Sequence, residues 1–498
     1  MSNQLLLGPI LGLESDTLYT TLVVTDDTVS SVLLEIHQDT LSFELVGTLH
    51  VGRVWRVEFD PHLEPNSSVN YRILIENEFA TSKSGDSQWS FHVPAQTETP
   101  KLAYASCNGF SDFKLMTSTE RPYALWQAMS EQHDEAPFSL LLMGGDQIYA
   151  DSIWTMVPSL KQWNELPREK KIKAKASKQM KAQIRRFYSE LYLDRWNKPD
   201  VAKMLASIPS IMMWDDHDIF DGWGSYPEDI QTCEVYSAIF AEAKNHFDLL
   251  QLRSANKNST LLRNASANAN QAKVSHFGAV VQFKNYQILV LDNRSERTLN
   301  RVMSEEHWQD VIHFLDNCTT GDLLVMTGVP VVYRDFSFAE RAVDATPWEE
   351  EVTDDLKDHW RAKEHEGERS RLIMRLLANA KRRQGKTVLL SGDVHVGALG
   401  IIRDESQSDI TRIHQVISSG IVHPSPTFMQ WLGICALTND DDEYLDGAKH
   451  IVARMIKPTG GDKYIRTRNF TTLKMGTDHK IWVNWIIEGK DKPVYAID

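Results

Sequence analysis

Short apolar runs that stop at glycine or at an acid recur along most of the chain. The clearest is Leu140-Leu141-Leu142-Met143, followed by Gly144-Gly145-Asp146-Gln147-Ile148-Tyr149-Ala150-Asp151. An unbroken apolar run bounded by glycine predicts a strand buried on both faces, as in the centre of an α/β sheet. Ile208 to Trp214 predicts a second such strand, ending at Asp215-Asp216-His217-Asp218. Leu102 to Ser106 predicts a third, ending at Cys107, and Val388-Leu389-Leu390 a fourth, ending at Ser391-Gly392-Asp393-Val394-His395. Leu323 to Thr327 runs into Gly328-Val329-Pro330. Between these runs the apolar period lengthens and predicts helices over Tyr123 to Gln132, Glu305 to Asp316 and Ser370 to Arg382. Lys161 to Leu193 predicts one long helix, basic in its first half, whose lysines form a solvated face.

The first 97 residues have a different rhythm. Trp55, Val57 and Phe59 alternate with polar neighbours, Leu63 to Ser68 predicts a turn, and Tyr71 to Ile75 predicts another strand. Several short strands separated by turn residues predict a β-sandwich of immunoglobulin or fibronectin type over residues 1–97. Pro94 to Pro100 is the expected linker, and residues 101–498 form the α/β domain. Within that domain, Phe277 to Phe283 and Tyr286 to Leu291 predict a hairpin around Lys284-Asn285, and Lys480 to Ile487 an edge strand. The densely charged tract from Glu340 to Arg369 is expected to be a surface excursion or lid; Trp308, and Trp360 within that tract, read as packing residues, with substrate contact as the alternative for Trp360.

Length and charge narrow the function classes. A chain of 498 residues with 42% apolar content has ample material for a core and for two or more domains. No apolar stretch reaches the roughly 18 residues a membrane span needs. Met1 to Leu13 carries no lysine or arginine ahead of its short apolar stretch, so no export signal is expected and a cytoplasmic location is. The net charge of −15 argues against non-specific nucleic-acid binding, yet it admits a phosphate-bearing substrate where cations supply local positive charge. The four cysteines, Cys107, Cys233, Cys318 and Cys435, have no paired spacing and form neither a disulfide framework nor a zinc knuckle. Asn258 and Asn264 head sequons that mean nothing without secretion.

Four strand ends therefore carry groups able to bind metal: Cys107; Asp146 with Tyr149; Asp216 with His217; Asp393 with His395. In a parallel sheet with right-handed crossovers these ends lie on one side and can converge on one site. Thiolate, phenolate and carboxylate together suit iron, and the carboxylates alone suit calcium, magnesium or manganese. A carboxylate such as Asp146 can bridge two cations spaced about 3.5–4 Å apart, the arrangement used to hydrolyse phosphoesters. His217 can orient the substrate or donate to the leaving oxygen. Each residue also has a plainer reading: Cys107 as a core thiol, Tyr149 as a packed ring, Asp215 and Asp218 as helix-start groups, Asp151 as a turn cap and Asp292 as a loop anchor. His246, His276, His313, His359 and His414 lack spacing partners and read as structural.

Taken in order, Gly145 to Asp151, Trp214 to Asp218, Leu291-Asp292-Asn293-Arg294-Ser295-Glu296-Arg297 and Ser391 to His395 resemble the signature blocks of the alkaline phosphatase D (PhoD)-like metallophosphoesterases. Ser106-Cys107 resembles the first ligand block of that family. The resemblance implies a four-layer αββα core and hydrolysis of phosphomonoesters or phosphodiesters with iron plus calcium; softness rules alone also admit manganese or zinc. It implies that Cys107 and Tyr149 bind iron, that Asp146 bridges, and that Asp216, Asp393 and His395 hold the other metal or metals. His217 takes the place of the catalytic histidine. Arg294 is a candidate phosphate contact whose alternative is a salt bridge to a neighbouring acid, and Asn108 is a second candidate whose alternative is a turn residue. The implied partner is a small or polymeric phosphate ester. A non-catalytic scaffold of the same fold, or a metal-dependent hydrolase of another ester, remains an open alternative.

Overall fold

The computed structural model describes residues 3–61, 67–95, 97–254, 262, 275–335, 358–489 and 491–498. The Leu63 to Ser68 turn falls mostly outside the described residues. So do both sequons and the charged tract from Glu340 as far as residue 357.

Two large sheets face one another. In the first, Leu102–Ala105, Leu140–Gly144 and Ser210–Met213 lie side by side and parallel. In the second, Tyr286–Val290, Asp322–Gly328, Thr387–Ser391 and Thr411–Ile417 are parallel neighbours. The alternation of side chains along a strand explains why the central runs are wholly apolar. Leu140 and Leu142 point into a core shared with Ile288, Leu324, Val388 and Leu390 of the opposite sheet. Leu141 and Met143 point outward into a second core, built with Trp126, Ile184 and Ile239 from the helices Ala124–Glu135, Lys178–Trp196 and Glu234–His246. On the far side, Leu323, Val325 and Leu389 pack against Val311 and Leu376, from the helices Glu305–Asn317 and Glu366–Arg382. The layers therefore run helix, sheet, sheet, helix.

The N-terminal strands are joined to this body. Leu7–Leu13 pairs parallel with Ser210–Met213 through Gly12 and Ser210, and Ser210 Oγ donates to Leu11 O at 2.8 Å. The first sheet thereby continues through Tyr19–Thr25, Arg53–Phe59 and Glu44–Thr48 to ten strands. A separate five-stranded sheet of Asp39–Ser42, Val32–Ile36, Ser67–Ile75, Glu78–Phe79 and Trp89–Val93 lies in the same inner core, with Ile73, Trp89 and Phe91 among the side chains packed there with Val23 and Val57.

Two expectations need correction. Lys161 to Leu193 is not one helix but the helices Pro158–Asn164, Arg168–Lys173 and Lys178–Trp196. Pro167 lacks the N–H a continuous helix requires, and Ser177 caps a new start by accepting from Met180 N. Ile481–Ile487 is not an edge strand: it lies between Asn469–Met475 and Val494–Ile497. The short C-terminal strand, which gives little apolar signal, covers it. The hairpin at Lys284-Asn285 forms as expected, with Lys284 at a φ of 54° in the turn. Trp308 and Trp360 are buried in the outer core, as their packing reading expects. Among the described residues, no helix is long and apolar enough to cross a membrane.

Candidate metal centre

Each parallel strand delivers its functional residues in the first few positions past its carboxyl end, where an open α/β sheet places ligands. Cys107 follows Leu102–Ala105, Asp146 and Tyr149 follow Leu140–Gly144, and Asp215, Asp216 and His217 follow Ser210–Met213. Asp393 and His395 follow Thr387–Ser391, and Ser419 and His423 follow Thr411–Ile417. Cys107, Asp146, Tyr149, Asp393 and His395 all have positive φ, between 53° and 66°. This conformation is uncommon for residues with a side chain, and here it recurs where the chain must turn back sharply and still aim the side chain inward. Gly145, at a φ of 99°, allows a close approach: a Cβ there would lie 2.8 Å from the Cβ of Asp215.

Ligand atoms of Asp146, Asp216 and His217 lie within 4.8 Å of one another, and so do those of Asp215, Asp216 and Asp393. Cys107 adjoins the first group, its thiol donating to Asp146 Oδ2 at 3.4 Å and lying 3.1 Å from Ser419 Oγ. The Tyr149 hydroxyl lies 3.0 Å from His395 Nε2, and its ring stacks on His217 with centroids 4.4 Å apart. His217 Nδ1 lies 2.9 Å from Asp151 Oδ2, while Asp151 Oδ1 accepts from Asp221 N at 2.8 Å. The Asp151 carboxylate thus accepts from Nδ1–H, and Nε2 lies 3.9 Å from Asp221 Oδ1.

The electrostatics fit bound cations. Asp146 Oδ1, Asp215 Oδ2 and Asp216 Oδ1 are buried and accept no hydrogen bond among the described residues, although Asp216 Oδ1 lies 3.5 Å from an Arg294 terminal nitrogen. Burial pushes the Asp146 carboxyl well above its usual range, with Asp215, Asp216 and Asp218 adding to the rise against the opposing pull of His217. Burial does the same to Asp393, reinforced by Asp215, Asp358 and Asp216. Burial also raises the Cys107 thiol, with Asp146 adding to it. A cation relieves burial and repulsion together and supplies partners for the orphaned oxygens. Hard carboxylate oxygens beside one thiol, one phenol and imidazoles are a donor set for transition metals and calcium-like ions.

The remaining residues named from the sequence sit as supports. Arg294 is completely buried. Its Nε donates to Asp215 Oδ1, its terminal nitrogens donate to Asp358 at 2.6 and 2.5 Å, and one of them also reaches Trp223 O at 3.1 Å. Asn108 Oδ1 accepts from Trp126 Nε1 at 2.8 Å, and its amide reaches Gln147 O at 3.4 Å. Asp292 anchors its loop by accepting from Trp214 Nε1, Arg294 N and Phe277 N. Asp218 closes a capping box with Asp215 and accepts from Gln147 N. His276 and His307 stack on each other beside Asp310, away from the centre.

Three residues escaped the sequence reading. His423 stacks on His395 at 3.7 Å and on Tyr149 at 5.3 Å. Ser419 Oγ accepts from His395 N at 2.8 Å. Asp358 grips Arg294 from beneath and also meets Arg297 at 3.2 Å. Ser418-Ser419-Gly420 after the run Ile413 to Ile417 was an available signal for the first two, a fifth strand end of the same kind.

Known proteins resemble this chain in sequence or in fold. A Saccharomyces cerevisiae protein described as uncharacterized, YGR266W, is 29% identical over 466 residues, covering 78% of this chain and 66% of the yeast protein. The chain thus spans slightly less than two thirds of that relative's length. The solved structure of PhoD is similar in fold, with a TM-score of 0.63 at 15% identity over 99% of this chain and 89% of that one. The purple acid phosphatase PPD1 from yellow lupin (Lupinus luteus) seeds is similar at a TM-score of 0.51 and 10% identity, over 98% of this chain and 74% of that one. The family model of PhoD-related phosphatases matches residues 77–348 and 345–446, which between them carry every strand end of the centre. Match and geometry together make the chain a member of the PhoD-related phosphatase family.

Proposed function

We propose that the chain is a metal-dependent phosphoesterase that hydrolyses phosphomonoesters or phosphodiesters at this centre. The observation that carries the reading is the pair of groups Asp146, Asp216 and His217 and Asp215, Asp216 and Asp393, each with ligand atoms within 4.8 Å of one another and with Asp216 in both, together with three buried carboxylate oxygens that accept no hydrogen bond among the described residues. In this reading Asp146, Cys107 and Tyr149 would hold iron and Asp216, Asp393 and His395 would hold a second, calcium-like ion, with Asp146 as the carboxylate that both would share. Asp215, which the sequence reading set aside as a helix-start group, joins the ligand candidates through its free Oδ2. When bound, the cations supply the positive charge that lets an anionic ester approach so many carboxylates, and they acidify water. Asp151 holds the imidazole of His217 in place through Nδ1. Burial opposes its charging, but Asp151 and Asp216 outweigh burial and hold the His217 pKa well above the ordinary range. As an imidazolium His217 donates its Nε2 proton to the leaving oxygen. Arg294 acts beneath the cluster, orienting Asp215 rather than meeting the substrate. Residues 101–498 carry this activity, with residues 1–97 as a β-sandwich fused to the catalytic sheet.

The test is hydrolysis of a chromogenic phosphodiester and of the matching monoester by the purified full chain. Loss of both on chelation, recovery on adding iron and calcium or manganese, and a loss of at least about a hundredfold in Asp146→Asn are expected. Unchanged rates in Asp146→Asn would remove the proposal.

A further inference from the structure

Asp218 ties together two loops that bring candidate ligands from neighbouring strands. Its Oδ1 accepts at 2.9 Å from the N–H of Gln147, the residue after Asp146, and its Oδ2 accepts from Asp215 N at 3.0 Å. A third donor comes from elsewhere: Gln251 Nε2 reaches Asp218 Oδ1 at 3.2 Å and also donates to Tyr192 Oη at 2.9 Å. Gln251 is wholly buried and closes a five-residue π-helical turn, Phe247–Gln251, in which Leu252 N reaches back to Phe247 O at 3.0 Å. Such turns are rare and recur at functional sites.

The same segment is anchored from the N-terminal strands. Arg253 Nη1 donates to Gln251 O at 2.9 Å, Nη2 to Ser210 O at 3.2 Å and Nε to Thr20 Oγ1 at 3.1 Å. Its guanidinium lies over Gly12, where a Cβ would collide with it. Glu14 offsets part of the burial of this charge and lies 3.4 Å from Arg56 Nη2. Glu14, Arg56, Gln251 and Arg253 are all buried. A line of buried polar contacts thus runs from Thr20 through Arg253, Gln251 and Asp218 to the loops of Asp146 and Asp215.

We propose that Gln251 and Arg253 are positioning residues of the metal centre, through which the N-terminal strands hold the Asp146 and Asp215 loops in register for cations. This rests on the cation binding that the phosphoesterase reading requires. The two loops carry like charges, whose repulsion works against their approach. Three N–H groups on one buried carboxylate counter that repulsion and fix the backbone beside both ligands. Loops already in place lose less freedom when a cation binds. Among the described residues, neither Gln251 nor Arg253 bonds to a candidate ligand side chain, so each acts through Asp218.

The test is titration calorimetry of Mn2+ into the chelator-stripped full chain, with urea midpoints taken in chelator alongside. The Mn2+ Kd is expected to rise about 10–100-fold in Gln251→Leu, the usual effect of removing a group that orients ligands. A rise of at least about threefold is expected in Thr20→Val, an isosteric change that takes one acceptor from Arg253. Leu376→Ala, a cavity in the outer core of the far sheet, is expected to lower the urea midpoint and leave the Kd alone. Should Gln251→Leu fail to fold, Gln251→Asn, which withdraws the amide by one methylene, takes its place. A wild-type Kd in the folded Gln251 variant would overturn the proposal, and a wild-type Kd in Thr20→Val would overturn its N-terminal part. An equal rise in Leu376→Ala would reduce the effect to lost stability and overturn it as well. A chain that shows the expected Kd differences yet cleaves no phosphoester would defeat the phosphoesterase reading and leave this one standing; a chain that binds no Mn2+ would defeat both.

Discussion

Replacing Arg294 by methionine removes the one cation that holds Asp215 and Asp358 together beneath the centre. The side chain is wholly buried and makes two charge-assisted bonds to Asp358, at 2.6 and 2.5 Å, and one to Asp215. Methionine fills much of the volume but leaves two buried carboxylates short of a partner. Breaking a buried pair in this way costs about 3–5 kcal/mol, against less than about 1 kcal/mol for an exposed pair. Burial works against the Asp358 carboxylate, yet Arg294 and Arg297 hold its pKa below the ordinary range. Its folded pKa is thus depressed, so the pair stabilises at neutral pH and the contribution fades as pH falls through the acid range. Asp358→Leu removes the other side and is expected to cost a similar amount. The double variant is expected to be destabilised by about 1.5–3 kcal/mol less than the two singles summed, because each single leaves a charge that the other deletion would have removed. Urea midpoints at pH 7, in the presence of chelator so that metal binding does not contribute, measure all four corners of the cycle. Additivity within about 0.5 kcal/mol would refute the reasoning, since it would mean the two residues do not depend on each other.

Acidification should expose the buried imidazole of His246. Burial lowers it to about 4, against an ordinary 6.5, so the unfolded chain binds the extra proton first and stability is lost as pH falls from about 6.5 toward 4. About 3 kcal/mol of the acid loss should vanish in His246→Gln, read as a shallower slope of unfolding free energy against pH; equal slopes would count against it. Gly145→Ala sets a methyl 2.8 Å from the Asp215 Cβ on backbone that disfavours side chains, and is expected to cost about 1–3 kcal/mol in urea and to reduce bound metal. Asp151→Asn leaves His217 without the carboxylate that fixes its ring, and kcat should fall about 10–100-fold with little change in KM; a wild-type kcat would disprove the orienting role.

What could be read from the sequence, and what could not, divides along the range of the interactions. Leu140-Leu141-Leu142-Met143 announced itself because a strand buried on both faces needs no alternation, and its residues do split between the inner and outer cores. The strand ends were legible through their number: one acid after such a run is an ordinary cap, as Asp215 and Asp218 are, but four ends with candidate ligands ask for a common cause. The Arg294 alternative, a salt bridge to neighbouring acids, describes its contacts, but its main partner Asp358 is 64 residues away and has no local signature. The join between the N-terminal strands and the catalytic sheet rests on Gly12, Leu11 and Ser210, small or backbone contacts 199 residues apart that leave no pattern in either segment. His423 was missed because its strand is followed by serines and a glycine rather than an acid, although its ring lies against two of the residues that the sequence did bring out.

Anomalous scattering from crystals of the metal-loaded full chain, collected at the iron edge and at a wavelength favouring calcium, addresses the central claim directly. Two peaks sharing Asp146 as a common ligand are expected, one adjoining Cys107 and Tyr149 and one adjoining Asp216 and Asp393. Metal elsewhere in the fold, or none between these carboxylates in a chain that still hydrolyses phosphoesters, would contradict it.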